Sequence, residues 1–178
     1  LLHYLIPEKN SIIDVSCGDN SDVFEIASKM DFKTIVGNDI SINYFKEMKS
    51  KNIIFTNENV EMNNFKDNSF DVSYCKNTLH HMNNLTNINN ILNFLKRISK
   101  EIIIIEIEDP TNSKGLPKFL NKYLYSLYLK DAGKCYLNST QFKDIIYNVF
   151  DDEKKYKIEY GTFKNILGTY MIAKIVRR

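Results

Sequence analysis

Residues Ser11–Asp22 read SIIDVSCGDNSD. An apolar run ends in Asp14, passes through Ser16 and Gly18, and gives way at Asn20 to a helical pattern. A buried strand that stops this way opens a strand–turn–helix unit. Gly18 lets the turn bend tightly and brings backbone close to a ligand. The N–H groups that start the following helix suit an anion such as a carboxylate or phosphate. Asp39 ends the next apolar run, roughly 20 residues beyond the glycine, the spacing of an acid that accepts hydrogen bonds from both hydroxyls of a ribose. The plainer alternative is that Asp14 caps a turn and Asp39 begins the next helix.

The rest of the chain repeats this rhythm. Strands are expected near Ser11–Val15, Thr34–Asn38, Ile53–Thr56, Val72–Cys75 and Glu101–Glu106. The run EIIIIEIE is continuous and β-branched, as in a strand buried on both faces. Helices are expected over Ser21–Met30, Ser41–Lys51 and Leu85–Ser99, the last with Ile88, Ile91, Leu92, Leu95 and Ile98 on one face. Alternating strands and helices predict a parallel sheet with right-handed crossovers. After Asp109 and Pro110 the pattern breaks into a loop and then a tyrosine-rich, helix-like stretch, LNKYLYSLYLK. Asn138 or Ser139 caps a further helix to about Val149, and two strand-like runs close the chain as an antiparallel hairpin. The fold class is therefore α/β, Rossmann-like and doubly wound, with a mostly parallel seven-stranded sheet and a C-terminal antiparallel hairpin. Residues 1–178 are read as a single domain, with 110–137 as a segment that covers an acceptor.

Bulk properties narrow the function. The chain has 178 residues and 43% hydrophobic residues, enough for one folded domain with a core. A net charge of +2 gives no argument for nucleic acid or a membrane surface, and the final two arginines read as a solvated tail. Three widely spaced cysteines, Cys17, Cys75 and Cys135, form neither a disulfide framework nor a metal motif. Reduced thiols, no signal peptide and no apolar run of roughly 18 residues lead to a cytoplasmic protein without membrane insertion.

The glycine pattern decides between cofactors. A dinucleotide turn needs three glycines to admit a pyrophosphate, and only Gly18 is present. A cofactor with an adenosine and no pyrophosphate fits better. IIDVSCGDNSD resembles the first motif of class I S-adenosylmethionine-dependent methyltransferases, hhDhGCGxG. VGNDIS resembles their acid at the end of the second strand. NENVEMNNFKDNSFDVSYCKNTLHHM resembles GDAExLPFPDNSFDVVxxxxxLHHh, matching at Glu61, Phe65, Asp67–Asp71, Leu79, His80 and His81. YLNSTQFKDII and GTFKNILGTYMIAKIV resemble the closing helix and hairpin, so the likeness spans nearly the whole chain.

The resemblance implies S-adenosylmethionine as cofactor and S-adenosylhomocysteine as product. Asp14 would orient the first loop and help place the methionine amino group. Ser16 and Gly18 would line the methionine part, and Asp39 would bind the ribose hydroxyls with Ile40 against the adenine. Asn59 and Val60 would meet the adenine edge, and Cys75 would approach the methionine moiety through its backbone. Ser16, Asn20 and Asn59 stand where the family has glycine, glycine and aspartate. Asn20 tolerates left-handed backbone angles, Asn59 keeps an acceptor oxygen, and Ser16 is expected to weaken binding. Only LLHYLIPEKN precedes the first strand, where the family has one or more helices, so a fragment or a minimal version is expected.

Methyl transfer from a sulfonium is an in-line displacement, so positioning and water exclusion carry much of the catalysis. His81, and after it His80, are the candidate bases near the methyl; packing and a helix start are the alternative for both. Glu106, Glu108 and Asp109 are candidates for a cationic or hydroxylated acceptor or a metal, or else strand-end acids in solvent. Three carboxylates with no nearby His are weak metal ligands, and no metal is expected. Tyr123, Tyr125, Tyr128 and Tyr136 are candidate acceptor contacts, or amphipathic packing. The expected acceptor is a small molecule, with no nucleic-acid partner. Two other functions remain open: a non-catalytic S-adenosylmethionine-binding or partner-binding domain, and a nicotinamide-binding oxidoreductase.

Overall fold

The computed structural model of the chain describes residues 10–41, 52–60, 64–110, 133–165 and 168–178. Seven strands form one sheet in the order β3-β2-β1-β4-β5-β7-β6. They are β1 (Ser11–Val15), β2 (Thr34–Asn38), β3 (Ile53–Thr56), β4 (Phe70–Lys76), β5 (Ser99–Ile107), β6 (Tyr156–Asn165) and β7 (Gly168–Arg177). The first five are parallel, and β7 runs antiparallel to both β5 and β6. Three helices, α1 (Ser21–Lys29), α2 (Leu85–Ile98) and α3 (Ser139–Val149), are described with them. The expected fold class is the observed one.

Both faces of the sheet are covered, which explains the apolar strands. In β5, Ile102 and Ile104 join a core with Ile88, Leu92, Phe142 and Ile146 of α2 and α3. Ile103, Ile105 and Ile107 point the other way, into a core with Val23 and Ile26 of α1. Alternation at period two divides one isoleucine run between two cores.

β1, β2 and β3 have the expected bounds, and β4 and β5 are longer. Phe70 pairs with Ser99 and Lys76 with Ile105, so pairing carries both strands past their polar ends. Ser99 ends α2 and starts β5 without a loop; its hydroxyl donates to Leu95 O at 2.9 Å and meets Ser73 Oγ at 2.8 Å. Leu79–His81 is a single turn of 3-10 helix rather than the start of a long one. Asn138 caps α3, and Gln141 returns the bond to the Asn138 N–H, a reciprocal capping box. Arg177 is not a solvated tail. It donates to Asn68 Oδ1 and Lys96 O, each at 2.5 Å. Residues 42–51 of the expected helix over Ser41–Lys51, and residues 111–132 of the cover segment with the tyrosines at 123, 125 and 128, lie outside the described residues.

Strand order reverses at β1, which has β2 on one side and β4 on the other. In an open parallel sheet the crevice beyond the carboxyl ends of these strands takes the ligand. Asp14, Ser16, Asp39 and Lys76 all come from this edge.

Candidate functional site

The turn after β1 holds three left-handed residues, Ser16 (φ 75), Gly18 (φ 53) and Asn20 (φ 66). Both N–H groups at its start, from Ser16 (2.6 Å) and Cys17 (2.9 Å), donate to Asn38 O at the end of β2. The Gly18 N–H donates to Asp39 Oδ2 at 2.9 Å. A Cβ on Gly18 would meet no atom within 4 Å, so that side of the turn faces open space. Asn20 is fully buried at the start of α1. Its Oδ1 accepts the Cys17 thiol at 3.0 Å, and its Nδ2 has no partner among the described residues. Burial, and then the negative charge of Asp14 and Asp39, push the Cys17 thiol well up, so it stays neutral.

Asn38 was not nominated from sequence, yet it ties three segments together. Besides the two N–H groups on its carbonyl, its Oδ1 accepts from Thr56 Oγ1 (2.8 Å) and the Glu58 N–H (2.9 Å). Its Nδ2 donates to Glu58 O at 3.1 Å. The signal was a polar residue inside an apolar strand, next to the conspicuous acid. Asp39 completes the joint: Oδ1 accepts the Ser41 N–H at 2.9 Å, and its own N–H donates to Thr56 O at 3.1 Å. Each of its oxygens keeps a further lone pair for a ligand hydroxyl.

A cavity of about 220 Å³ opens beside this joint. It is lined by Ser16, Asn38, Ile40, Glu58, Asn59 and Val60 from the segments after β1, β2 and β3, and by His81, Met82, Asn83, Asn87, Ile91 and Lys134. Ile40 is 70% exposed, an apolar side chain offered to whatever fills the space. Of the residues nominated from sequence, Ser16, Ile40, Asn59, Val60 and His81 line it together. Asp14, Gly18 and Asp39 belong to the adjoining joint. Cys75 is buried among core residues, its thiol pushed up to about 12 by burial. Lys134, Asn83 and Asn87 were missed. Lys134 Nζ donates to Asn83 Oδ1 at 2.9 Å, so two of these lining residues are joined.

The two histidines diverge. His81 stands exposed on the cavity wall. His80 is fully buried, with Nδ1 2.6 Å from Glu106 Oε1. Glu106 also accepts from the N–H groups of Leu79 (2.7 Å), His80 (3.4 Å) and Ile107 (2.8 Å). Tyr136 stacks on the His80 ring at 5.2 Å, and the His80 carbonyl accepts from the Lys134 and Cys135 N–H groups. Gly133 is needed here, since a Cβ would lie 2.7 Å from His80 Cδ2. His80 therefore anchors the 3-10 turn from within the core, and Glu106 is the buried carboxylate that holds that turn. Glu108 Oε1 accepts the Ser139 N–H at 3.3 Å. Among the described residues no group of three or more candidate metal ligands occurs.

Comparison with known proteins agrees with this architecture. Residues 6–160 match the family model described as a methyltransferase domain. The chain belongs to that family. The class I S-adenosylmethionine-dependent methyltransferase resemblance read from the motifs is thereby borne out. An uncharacterised protein of Methanocaldococcus jannaschii is 36% identical over 101 residues, which is 57% of this chain and 44% of that one. The match thus spans less than half of that relative. A SAM-dependent methyltransferase structure from Methanosarcina mazei is 16% identical, with a TM-score of 0.70 over 99% of this chain and 96% of that one. The small RNA methyltransferase HEN1 gives 15% identity and a TM-score of 0.70 over 99% of this chain and 24% of its own. At such identities the two structures share the fold with this domain.

Two substitutions check the turn after β1 and its tie to Asn38. Ser16→Gly relieves a left-handed side-chain residue. A gain of about 1–2 kcal/mol from the relief, less about 0.5–1 kcal/mol of glycine entropy, leaves a small net stabilisation. Thermal melting should shift upward by a few degrees, and a downward shift would contradict the strain. Asn38→Ala removes three side-chain hydrogen bonds and is expected to cost about 3 kcal/mol. A melting temperature equal to the parent's would show that Asn38 is not the tie described.

Proposed function

We propose that this domain binds S-adenosylmethionine at the β1–β2 joint and transfers its methyl group to a small-molecule acceptor beside His81. One observation carries the reading: residues nominated separately from four segments, Ser16, Ile40, Asn59 with Val60, and His81, line one cavity at the carboxyl edge of the sheet.

The residues present suit the donor. Asp39 offers remaining lone pairs to the ribose hydroxyls, and Ile40 and Val60 offer apolar surface to an adenine face. Asn59 supplies an amide for the adenine edge, where the family has aspartate. Gly18 leaves room for the chain that follows. Asp14 is buried, and burial first, then the charges of Asp22 and Asp39, push its carboxyl well above the usual range, with Lys76 opposing. No described residue donates a hydrogen bond to Asp14, so a ligand ammonium would supply its missing partner.

S-adenosylmethionine, when bound, supplies a methyl group on a sulfonium already activated for displacement. The chain's own work is then to orient, to keep water out and to move a proton. The Asn38 joint fixes the relative position of the adenosine and methionine subsites. The buried His80–Glu106 pair holds the 3-10 turn and thereby sets where His81 stands, its ring centroid 4.2 Å from that of His80. His81 takes the acceptor proton when the acceptor needs to lose one. The cavity, with Asn83, Asn87 and Lys134 among its lining residues, supports a small polar acceptor. A cytoplasmic location goes with this reading; among the described residues no helix is long and apolar enough to cross a membrane.

The test is methyl-labelled S-adenosylmethionine incubated with the domain and two pools, small-molecule cell extract and total RNA. Label is expected in the small-molecule pool, lost in Asp39→Ala and strongly reduced in His81→Ala. Label in RNA alone would overturn the acceptor class, and unchanged labelling by Asp39→Ala would overturn the donor site.

A further inference from the structure

Lys76, the last residue of β4, stands at a position that the motif around it leaves unspecified. Its ammonium is 2.9 and 2.8 Å from the two oxygens of Asp22 in the first turn of α1. Tyr74, two residues earlier on the same face of β4, donates its hydroxyl to Asp22 Oδ2 at 3.2 Å. Tyr74 is also the β4 residue in register with Asp14 of β1. One face of the β1–β4 edge thus holds Asp14, Tyr74 and Lys76, with Asp22 reaching over from the helix.

The charges on this face are unequal. Asp14, Asp22 and Asp39 are the acids and Lys76 the one base named among the groups that act on Asp14. Asp14 is 2% exposed and takes no hydrogen bond from a described residue. Lys76 and Asp22 stay partly open, with side chains 35% and 17% exposed. An ammonium has three donors, and two distances to one carboxylate leave Lys76 capacity for another anion. A ligand that brought only an ammonium would satisfy Asp14 and leave Lys76 as it is. A ligand that brought a carboxylate alone would face the acids. A zwitterion, with ammonium toward Asp14 and carboxylate toward Lys76, meets both.

We propose that Lys76 holds the carboxylate of the amino-acid end of the methyl donor, opposite Asp14, and that Asp22 is a positioning residue that holds the lysine there. This inference rests on the donor reading given above. It assigns a donor-binding role to a residue at a position the family motif leaves unspecified, and makes the amino-acid end a determinant of affinity rather than a passenger on the adenosine.

Two ligands separate a contact from a merely structural role. S-adenosylhomocysteine carries the zwitterion; 5′-methylthioadenosine lacks both its amino and carboxyl groups and keeps the adenosine. Calorimetric titration of the parent, Lys76→Met and Lys76→Arg with both ligands tests the assignment. Lys76→Met is expected to weaken S-adenosylhomocysteine roughly 10- to 100-fold, the value of a charge-assisted hydrogen bond. It should change 5′-methylthioadenosine by less than about twofold, since a ligand without the carboxylate forfeits no such bond. Lys76→Arg should retain most of the affinity. Equal weakening of both ligands, or an unchanged S-adenosylhomocysteine affinity, would overturn the role of Lys76. A parent that binds neither ligand would overturn the donor reading and this inference with it.

Discussion

Asn38 is the constraint on which the site depends. It is 1% exposed, at the end of β2, and its backbone carbonyl and side-chain amide face different neighbours. The carbonyl collects the two N–H groups that begin the turn after β1; the amide collects Thr56 and Glu58 after β3. Three strand ends are thereby fixed against one another at hydrogen-bond precision. A buried amide in an apolar strand is costly unless all its bonds are made. Here both ends of the amide are engaged, so its desolvation is offset and the arrangement is specific.

The joint also allows the turn to carry strain. Ser16 adopts left-handed angles that a side chain disfavours by about 1–2 kcal/mol, and two hydrogen bonds to Asn38 hold it there. The same turn places Gly18 with its N–H on Asp39 and leaves the space where a Cβ would stand open. Asp14 lies behind, desolvated and among like charges, a condition that a bound cation relieves. The apparatus on the β4 side is independent of this. Glu106 gathers Leu79, His80 and Ile107, and the segment from Gly133 to Tyr136 packs on the His80 ring. One buried carboxylate thus shapes the turn from which His81 projects.

Much of the fold was legible because hydrophobic runs bounded by polar residues mark buried parallel strands. β1, β2 and β3 kept their expected limits for that reason. β4 and β5 outran theirs because pairing continues through Lys76 and Ser99, where polarity signals an end. Ser16, Ile40, Asn59, Val60 and His81 were legible through the family motifs, and their meeting in one cavity required the structure. Asn38 was overshadowed by the conspicuous acid beside it, Asp39. Lys134 was hidden because its approach to Asn83 joins segments distant in sequence. His80 and His81 are neighbours in sequence with equal side chains, yet a 3-10 turn sends one into the core and the other to the cavity. Periodicity assigns a turn of this length no inner face, so the choice between them was not readable. Glu106 misled for a similar reason: a carboxylate at a strand end reads as solvent-facing, and only packing shows that a folded-back turn covers it.

The central claim is that the turn after β1, tied to Asn38 and Asp39, is a cradle for a methyl donor. Calorimetric titration of the purified domain with S-adenosylmethionine and S-adenosylhomocysteine, with NADH as control, tests it most directly. The account predicts micromolar binding of the first two and no binding of NADH. Failure of both adenosyl ligands to bind, or a preference for NADH, would contradict it.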